Sequence, residues 1–340
     1  MTRPASAGGA ASYTGVPGVG RKGIPAWGKI AAAGLCALAV MLLSAAVGSS
    51  SVGFSASYIV RSVRLPRVIL AFITGGALAV SGAVFQSVLK NQLASPYILG
   101  ISSGASLGAA LVMISGFALA GSFTLPLAGF VFGLATVFIV IALAAKLDRQ
   151  FSNNTIILFG MVFSLFVNAL LTTLLALFRE ETRNLIIWQL GSFSLRGWNY
   201  VRIMLPFLAA GLLGVLRHTR EMDILSFGEE EAQVLGVDAP RIRKELFFFS
   251  ALLTGSAVAL SGAIGFVDLM APHVSRRITG SKHRHVIPMS FLVGGSLMCA
   301  ADLAARIIIS PSELPVGAVT AIIGAPFFAW VYFRGSSRRR

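Results

Sequence analysis

The charged residues that could do chemistry in this chain are few, and most of them fall in two groups. Residues 218–245 carry seven of the thirteen acidic residues. Arg64 and Arg67 stand at the start of one apolar run, and Arg306 stands near the end of another. The phosphate-binding spacing Gly-x4-Gly-Lys-Ser/Thr is absent from the sequence, and the four histidines do not stand at metal-ligand spacing. We therefore predict no enzyme activity, no bound metal and no cofactor in the chain itself.

The acidic group predicts a short helix between two apolar runs. Ser226 can cap its start with Glu229 at the capping-box position, and further acid follows in the first turn. Gly236 is suited to the end of such a helix. By itself, a short acidic helix between two spans is compatible with an ordinary solvated loop.

The two arginines beside Pro66 break two local rules at once. Pro66 is placed to open a helix, where a cation opposes the helix dipole. Both arginines also lie on the side of the chain that disfavours positive charge. Such a conflict indicates a function. The alternative is that each arginine extends to a lipid headgroup, and this alternative is stronger for Arg306, which lies near a helix C-terminus.

A few polar residues inside apolar runs are further candidates. Gln86 is costly in a membrane span unless it faces a cavity or a partner. Asp268 and Asp302 could relay protons, or they could cap broken helices or pair with a nearby arginine. We favour the structural role for both aspartates.

The elements that must position these residues are membrane helices. Of the 340 residues 56% are hydrophobic and 12% are charged, against about 25% charged in soluble domains. Apolar segments, many of them near the length of a membrane span, are predicted at 30–47, 68–89, 97–117, 123–145, 155–178, 200–216, 246–264, 268–276, 286–309 and 316–333. The predicted fold is therefore an all-α polytopic membrane protein with about ten helices and both termini on one side.

The net charge of +15 would indicate nucleic acid in a soluble chain. Here 20 of the 28 Lys and Arg residues fall on the side of the termini when loops are counted alternately, which predicts cytoplasmic termini. We expect contact with the lipid bilayer and no nucleic-acid partner. The predicted organisation is a disordered cytoplasmic tail at 1–29, a single transmembrane domain at 30–335 and a basic tail at 336–340.

An internal similarity indicates a repeat. The octet Ala-Leu-Ala-Val-Ser-Gly-Ala-Val at 77–84 matches Ala-Val-Ala-Leu-Ser-Gly-Ala-Ile at 257–264 in five positions. The two copies lie five spans apart, so they cross the membrane in opposite directions. This pattern predicts a five-plus-five inverted repeat with a pathway between its halves.

Several segments in collinear order resemble the FecCD family of ABC importer permeases, which serve ferric siderophores, haem and vitamin B12. They are Arg-Leu-Pro-Arg at 64–67, Ser-Gly-Ala-Val-Phe-Gln at 81–86, Asn-Gln-Leu-Ala-Ser-Pro at 91–96, Leu-Gly-Ile-Ser-Ser-Gly at 99–104, Gly-Glu-Glu-Glu-Ala at 228–232, Ser-Gly-Ala-Ile-Gly-Phe at 261–266, Glu-Leu-Pro at 313–315 and Gly-Ala-Pro at 324–326. The chain departs from the family pattern at Gln92, where a proline is usual, and at Asp268, where a glycine is usual.

The resemblance implies a role for each group. Residues 217–245 would be the coupling loop that seats on the ATPase subunit, through Glu229, Glu230, Glu231, Ala232 and Gly236. Glutamates of a periplasmic or lipid-anchored binding protein would dock on Arg64, Arg67 and Arg306. The pathway and its gate would involve Gln86, Asn91, Leu93, Asn153 and Asn154.

The implied assembly is a transporter of the inner membrane. Two permease copies, either identical or paralogous, would form the pathway, and ATP and Mg would bind only to the partner ATPase. The expected cargo is a ferric siderophore, with haem, cobalamin or molybdate as alternatives on the same scaffold. The alternative function is a proton-coupled secondary transporter, which would have to use Asp268 and Asp302 in the bilayer.

Overall fold

The protein forms a bundle of helices joined by short turns. The computed structural model describes residues 25–47, 57–148 and 152–336, and these residues include no strand. Residues 26–29, predicted as part of the tail, belong to the first helix, while residues 1–24 and 337–340 of the two predicted tails lie outside the described residues.

The helices in chain order are α1 (Ala26–Ala46), α2 (Ser57–Ile59), α3 (Leu65–Val88), α4 (Ile101–Ser115), α5 (Thr124–Leu147), α6 (Asn153–Leu177), α7 (Arg179–Gln189), α8 (Trp198–Arg217), α9 (Thr219–Leu225), α10 (Glu229–Val234), α11 (Ala239–Ser261), α12 (Val267–Thr279), α13 (His283–Ile307) and α14 (Val316–Ser336). Seven helical stretches in the described part are long and apolar enough to cross a membrane, and α4 and α14 contain shorter apolar helices. Each of the ten predicted segments coincides with a helix, which confirms the all-α polytopic fold.

Helix α3 is the centre of the bundle. Nearly all of its residues are buried, as expected for a helix that is apolar on every face. At Gly82 the backbone of α12 comes so close that an added Cβ would lie 1.8 Å from the carbonyl oxygen of Asp268. Only glycine permits this contact between α3 and α12.

The contacts between helices agree with the predicted inverted repeat. Helices α3 and α11, which hold the two matching octets, pack on each other, and Thr254 donates a 2.7 Å hydrogen bond to Ser81 between them. Helix α3 packs on α13 and α11 packs on α5. An axis that exchanges α3 with α11 and α5 with α13 requires these two contacts to occur together.

The start of the second span differs from the prediction. The helical path begins at Ser57, passes through a π-helical turn at Val60–Arg64 and continues into α3. Pro66 lies in the first turn of α3, as predicted, but earlier helical turns lead into it, so the helical path does not begin there. Pro66 has no backbone N–H and its ring crowds the carbonyl of the preceding turn. The wider π turn lies directly before it, where this crowding occurs. Arg64 and Arg67 consequently lie inside a continuous helix, and the expected conflict with its dipole does not arise.

The two ends of the bundle carry different groups. At one end, called here the α10 end, α9 and α10 lie with the start of α13. The start of α1 is there as well, because Lys29 donates to the carbonyl of Ile278 near the end of α12. At the opposite end, called the Arg67 end, the end of α1 meets the start of α3 and the end of α13.

Candidate functional site

The short helix α10 is anchored in the protein through a buried alanine. Ala232 is fully buried in a small apolar cluster with Leu225 and Ala239. Gly236 has a φ of +77°, which a glycine adopts without strain, and the helix ends just before it as predicted. The predicted cap is wrong. Gly228 occupies the N-cap position, and the Ser226 hydroxyl instead donates to the Asp223 carbonyl at 2.6 Å.

The outer face of α10 combines acid with apolar side chains. Glu229 is tied to the buried Arg243 by a short ion pair, whereas Glu230 and Glu231 are exposed. Around them Phe227, Val234 and Leu235 are 77%, 87% and 63% exposed. Large apolar side chains that stand this far out of a surface loop, beside carboxylates, form a surface suited to binding another protein.

A chain of hydrogen bonds links the segment before α10 to two long helices. The Asp223 carboxylate of α9 accepts hydrogen bonds from the backbone N–H of His283 at 2.9 Å and from its Nδ1 at 2.5 Å. On the other side of the ring, Nε2 lies 2.5 Å from the hydroxyl of Ser87 in α3. The histidine is 4% exposed. Its sequence spacing of 60 and 196 residues from these partners gave no signal of this connection.

The predicted gate residues lie on two turns at the α10 end. Leu93 is 62% exposed on the turn after α3, where its N–H donates to the side chain of Asn91 at 2.9 Å. This Asx turn forms without the usual family proline at Gln92. Asn153 and Asn154 open α6, and a buried side-chain oxygen of Asn153 has no hydrogen-bond partner among the described residues.

Gln86 has partners on both sides of its amide. Its Nε2 donates to the carbonyl of Leu269 at 3.3 Å, and its Oε1 accepts a short hydrogen bond from Arg276. Arg276 also donates to the carbonyl of Ala83. The polar atoms of Gln86 therefore join α3 to α12, which is the partnered arrangement that a buried amide in a membrane span requires.

The Arg67 end contains a buried ionic cluster. Asp302 is 0% exposed. It accepts hydrogen bonds from Arg67 Nη2 at 2.8 Å and Nε at 3.1 Å, and Arg306 Nε lies 3.2 Å from its other oxygen. Arg67 also holds the two oxygens of Glu313 at 2.8 and 3.0 Å. Asp302 thus pairs with arginines, which is the structural role predicted for it.

The other two predicted docking arginines face the end of α1. Arg64 donates to the carbonyl of Ala46 at 3.0 Å, and Arg306 donates to the carbonyls of Val47 and Ser44 at 3.1 and 3.0 Å. Cations near a helix C-terminus satisfy carbonyls that have no partner within the helix. The three arginines thus lie together, yet each is at most 8% exposed.

Glu313 is the most accessible member of the cluster. Its side chain is 28% exposed, and it lies in the turn between α13 and α14. Burial tends to raise the pKa of this carboxyl group, but the hydrogen bond and the charge of Arg67 outweigh burial and lower the pKa.

Asp268, the second departure from the family pattern, lies in the first turn of α12. It is 1% exposed, one of its oxygens accepts a short hydrogen bond from Ser95, and the other lacks a hydrogen-bond partner of normal geometry among the described residues. Within the described ranges no three His, Cys, Asp or Glu side chains come close enough to hold a metal ion.

Known proteins of one transport family match this chain over most of its length. The family model described as the FecCD transport family matches residues 22–334. An ABC transporter permease of Bacillus subtilis, YvrB, is 42% identical over 81% of this chain and 79% of its own length. The Fe(3+) dicitrate transport permease FecD of Escherichia coli is 39% identical over 82% of this chain and 86% of its own.

A solved structure supports the same assignment. A chain described as an inward-facing conformation of a metal-chelate type ABC transporter superimposes with a TM-score of 0.83 and 30% identity, over 90% of this chain and 98% of that chain. Together with the helical bundle and the α10 surface, these matches show that the chain is a permease subunit of an ABC importer and belongs to the FecCD transport family.

Proposed function

We propose that this chain carries a ferric siderophore across the inner membrane into the cytoplasm, as the permease partner of a separate ATPase and a binding protein. The observation that carries the proposal is the α10 surface. It is a small, firmly seated helix with exposed acid and apolar side chains, at one end of a bundle of helices that are long and apolar enough to cross a membrane.

The α10 surface is proposed to seat on the ATPase. Burial of Ala232 and the ion pair of Glu229 with Arg243 fix the helix to the permease, and both are internal contacts. Glu230, Glu231, Phe227 and Val234 are left for the partner. Nucleotide and Mg would bind to the ATPase alone.

Movement of this surface has a route into the membrane. Asp223 precedes α10 by a few residues, and through His283 it is joined to α13 and to Ser87 of α3. The turn with Asn91 and Leu93 follows Ser87 directly. Displacement of α9 by ATP-driven closure of the ATPases would therefore pull on the turn that we propose as part of the gate.

The Arg67 end is proposed to receive the binding protein. The α10 end would then face the cytoplasm, with both termini on that side. Because the three arginines are buried, a carboxylate of the binding protein would first meet Arg67 beside Glu313, and would have to share or displace that contact. Such a pair at the rim contributes about 0.2–1 kcal/mol and acts mainly on orientation.

The pathway is proposed to form between two permease copies. Exposed apolar faces are long on α6, which opens with Asn153 and Asn154. A second copy, identical or paralogous, would cover one such face and bring a second pair of turns to the axis.

The cargo is the least specified part of the proposal. The Escherichia coli relative is named for Fe(3+) dicitrate, and other relatives of 34–37% identity are named for cobalamin, hemin and molybdate. A ferric siderophore is the metal-chelate cargo we propose, with haem, cobalamin and molybdate as the alternatives.

The test is uptake of ferric siderophore by proteoliposomes that contain this chain with its ATPase and binding protein. Glu231→Arg should abolish uptake and release the ATPase during purification, because a cation replaces an exposed carboxylate on the α10 surface. Glu180→Arg, an exposed glutamate at the opposite end of the bundle, is the matched control for ATPase binding, and the ATPase should stay bound to this variant during purification.

A secondary transporter would behave differently. It would import cargo without an ATPase, and Glu231→Arg would leave uptake unchanged. Either result would refute the coupling role and favour proton coupling. Asp302, one of the two carboxylates that such a mechanism could use, is already held by two arginines.

A further inference from the structure

A polar recess lies in the part of the bundle that is surrounded by membrane helices. Its volume is about 380 Å³, at the lower end of the range of small-molecule sites. Seven of its eight lining residues have hydrogen-bonding side chains, and none is charged. Those that matter most here are Tyr97, Ser102, Ser106, Ser164, Asn168 and Gln189.

The recess lies near the middle of α6, one of the helices long and apolar enough to cross a membrane. Ser164 and Asn168 are on α6, which runs from Asn153 to Leu177. At a rise of 1.5 Å per residue they stand about 17 and 23 Å along a helix of about 37 Å. Polar side chains are expensive at this depth unless they meet a partner, water or a ligand.

Some of the lining residues already have partners. Ser103 and Ser164 donate to backbone carbonyls of their own helical segments at 3.0 and 2.7 Å, and the Tyr97 hydroxyl donates to the carbonyl of Ile264 at 2.9 Å. Hydroxyl groups that bond in this way are satisfied by the protein itself. They do not call for a ligand.

The other polar side chains of the recess lack such partners. Ser102, Ser106, Asn168 and Gln189 make no side-chain hydrogen bond to any residue that the structure describes. Ser106 is only 2% exposed, and what remains accessible of it lines the recess. Four side chains without such partners therefore border one space, which is open on the side of the exposed Asn168.

The backbone around the recess is interrupted in the way that transport sites require. Helix α7 ends at Gln189, and α11 ends at Ser261 before the break that contains Ala263. Ser192 just after α7 donates to the carbonyl of Ser261 at 2.8 Å, so the two helix ends meet. Irregular backbone at membrane depth is tolerated where it is buried or lines a water-filled cavity, and broken helices line the substrate sites of transporters.

We propose that this recess contacts the cargo during translocation, and that it selects organic chelates through their neutral oxygen and nitrogen atoms. Serine hydroxyls and carboxamides match amide, hydroxamate and hydroxyl groups. The lining offers no cation for a bare oxyanion and no ligand set for a free metal ion. The inference rests on the proposed importer function and narrows its cargo to a metal held by an organic ligand.

The first experiment compares uptake of four probes by the reconstituted complex with its ATPase and binding protein: ferrichrome (a neutral ferric trihydroxamate), haemin, cobalamin and molybdate. Ser106→Val with Asn168→Leu should reduce uptake of the organic cargo about tenfold, the effect of two lost hydrogen bonds, without changing the basal ATPase rate. Thr173→Val, whose hydroxyl bonds only to its own helix, is the control and should have no effect.

The second experiment asks whether the recess is open to water, and it needs no cargo. In a Cys36→Ser background, Ser102→Cys, at a half-buried position of the lining, should react with a charged methanethiosulfonate reagent, whereas Ser290→Cys, at a fully buried position in α13, should not. An unreactive Ser102→Cys would overturn the proposal, as would unchanged uptake in the double variant or transport of molybdate alone. A wild-type complex that hydrolyses ATP but carries none of the probes would instead overturn the proposed function on which this inference rests.

Discussion

Replacing Asp302 by asparagine should destabilise the protein strongly. The wild-type carboxylate is 0% exposed and holds two guanidinium groups, of Arg67 at 2.8 Å and of Arg306 at 3.2 Å. Asparagine keeps the size but removes the charge, and its NH₂ group turns a donor towards one of the two arginine donors. Arg306 is 3% exposed and has no second carboxylate in the contacts that the structure describes, whereas Arg67 keeps Glu313.

The magnitude follows from burial. Removing one partner of a buried ion pair costs about 3–5 kcal/mol, because the remaining charge is left without compensation in a medium of low polarity. The loss should be measured as the free energy of unfolding in mixed micelles with increasing SDS. Arg241→Ala, which breaks the exposed pair with Glu245, is the control and should cause no resolvable change.

A double variant separates charge from packing. Asp302→Leu with Arg67→Met removes the central ion pair but leaves Arg306 buried, so it should recover part of the stability lost in Asp302→Asn. If Asp302→Asn unfolded at the same SDS concentration as the wild type, the arginines would have to be satisfied by other groups, and the reasoning about a buried cluster would be refuted.

Three further predictions concern other contacts. Because the pKa of Glu313 is lowered, its stabilising effect is present above the usual carboxyl pKa of about 4.3 and is lost as the pH falls through the lowered value. The melting temperatures of wild type and Glu313→Gln should therefore converge in acid, and a constant difference between them would contradict this. Gly82→Ala should lower thermal stability severely, by about 3 kcal/mol or more, since its Cβ would meet the Asp268 carbonyl at 1.8 Å, whereas Gly34→Ala, with open space, should be neutral. Asp223→Ala should preserve ATP hydrolysis and reduce uptake, which a comparison of the two rates would detect; equal loss of both would point to a folding defect instead.

Helix α7 was not among the predicted segments, because hydropathy does not reveal it, although the periodicity of its apolar residues could have done so. Arg179–Gln189 is too polar to stand out as a span. Its signals were weaker: Glu180 and Glu181 in the first turn, followed by Leu185 and Trp188 three residues apart on one face, both buried. The helix completes the polar recess, so missing it concealed that site.

The amino-acid sequence by itself determined the number and approximate bounds of the apolar helices, because the length of an uncharged run is a local property that the bilayer reads directly. It also determined the helix end at Gly236, since a positive φ favours glycine wherever it occurs. The collinear motifs were enough to indicate the family.

Only the tertiary structure decided which polar groups meet. Arg67 and Asp302 are 235 residues apart, and His283 lies 60 residues from one partner and 196 from the other. The cap of α10 likewise depended on where the chain turns, since the helix began after Gly228 and left Ser226 outside. In a membrane, where a polar atom must find a partner inside the protein, these pairings are fixed by how the helices pack, which local sequence does not encode.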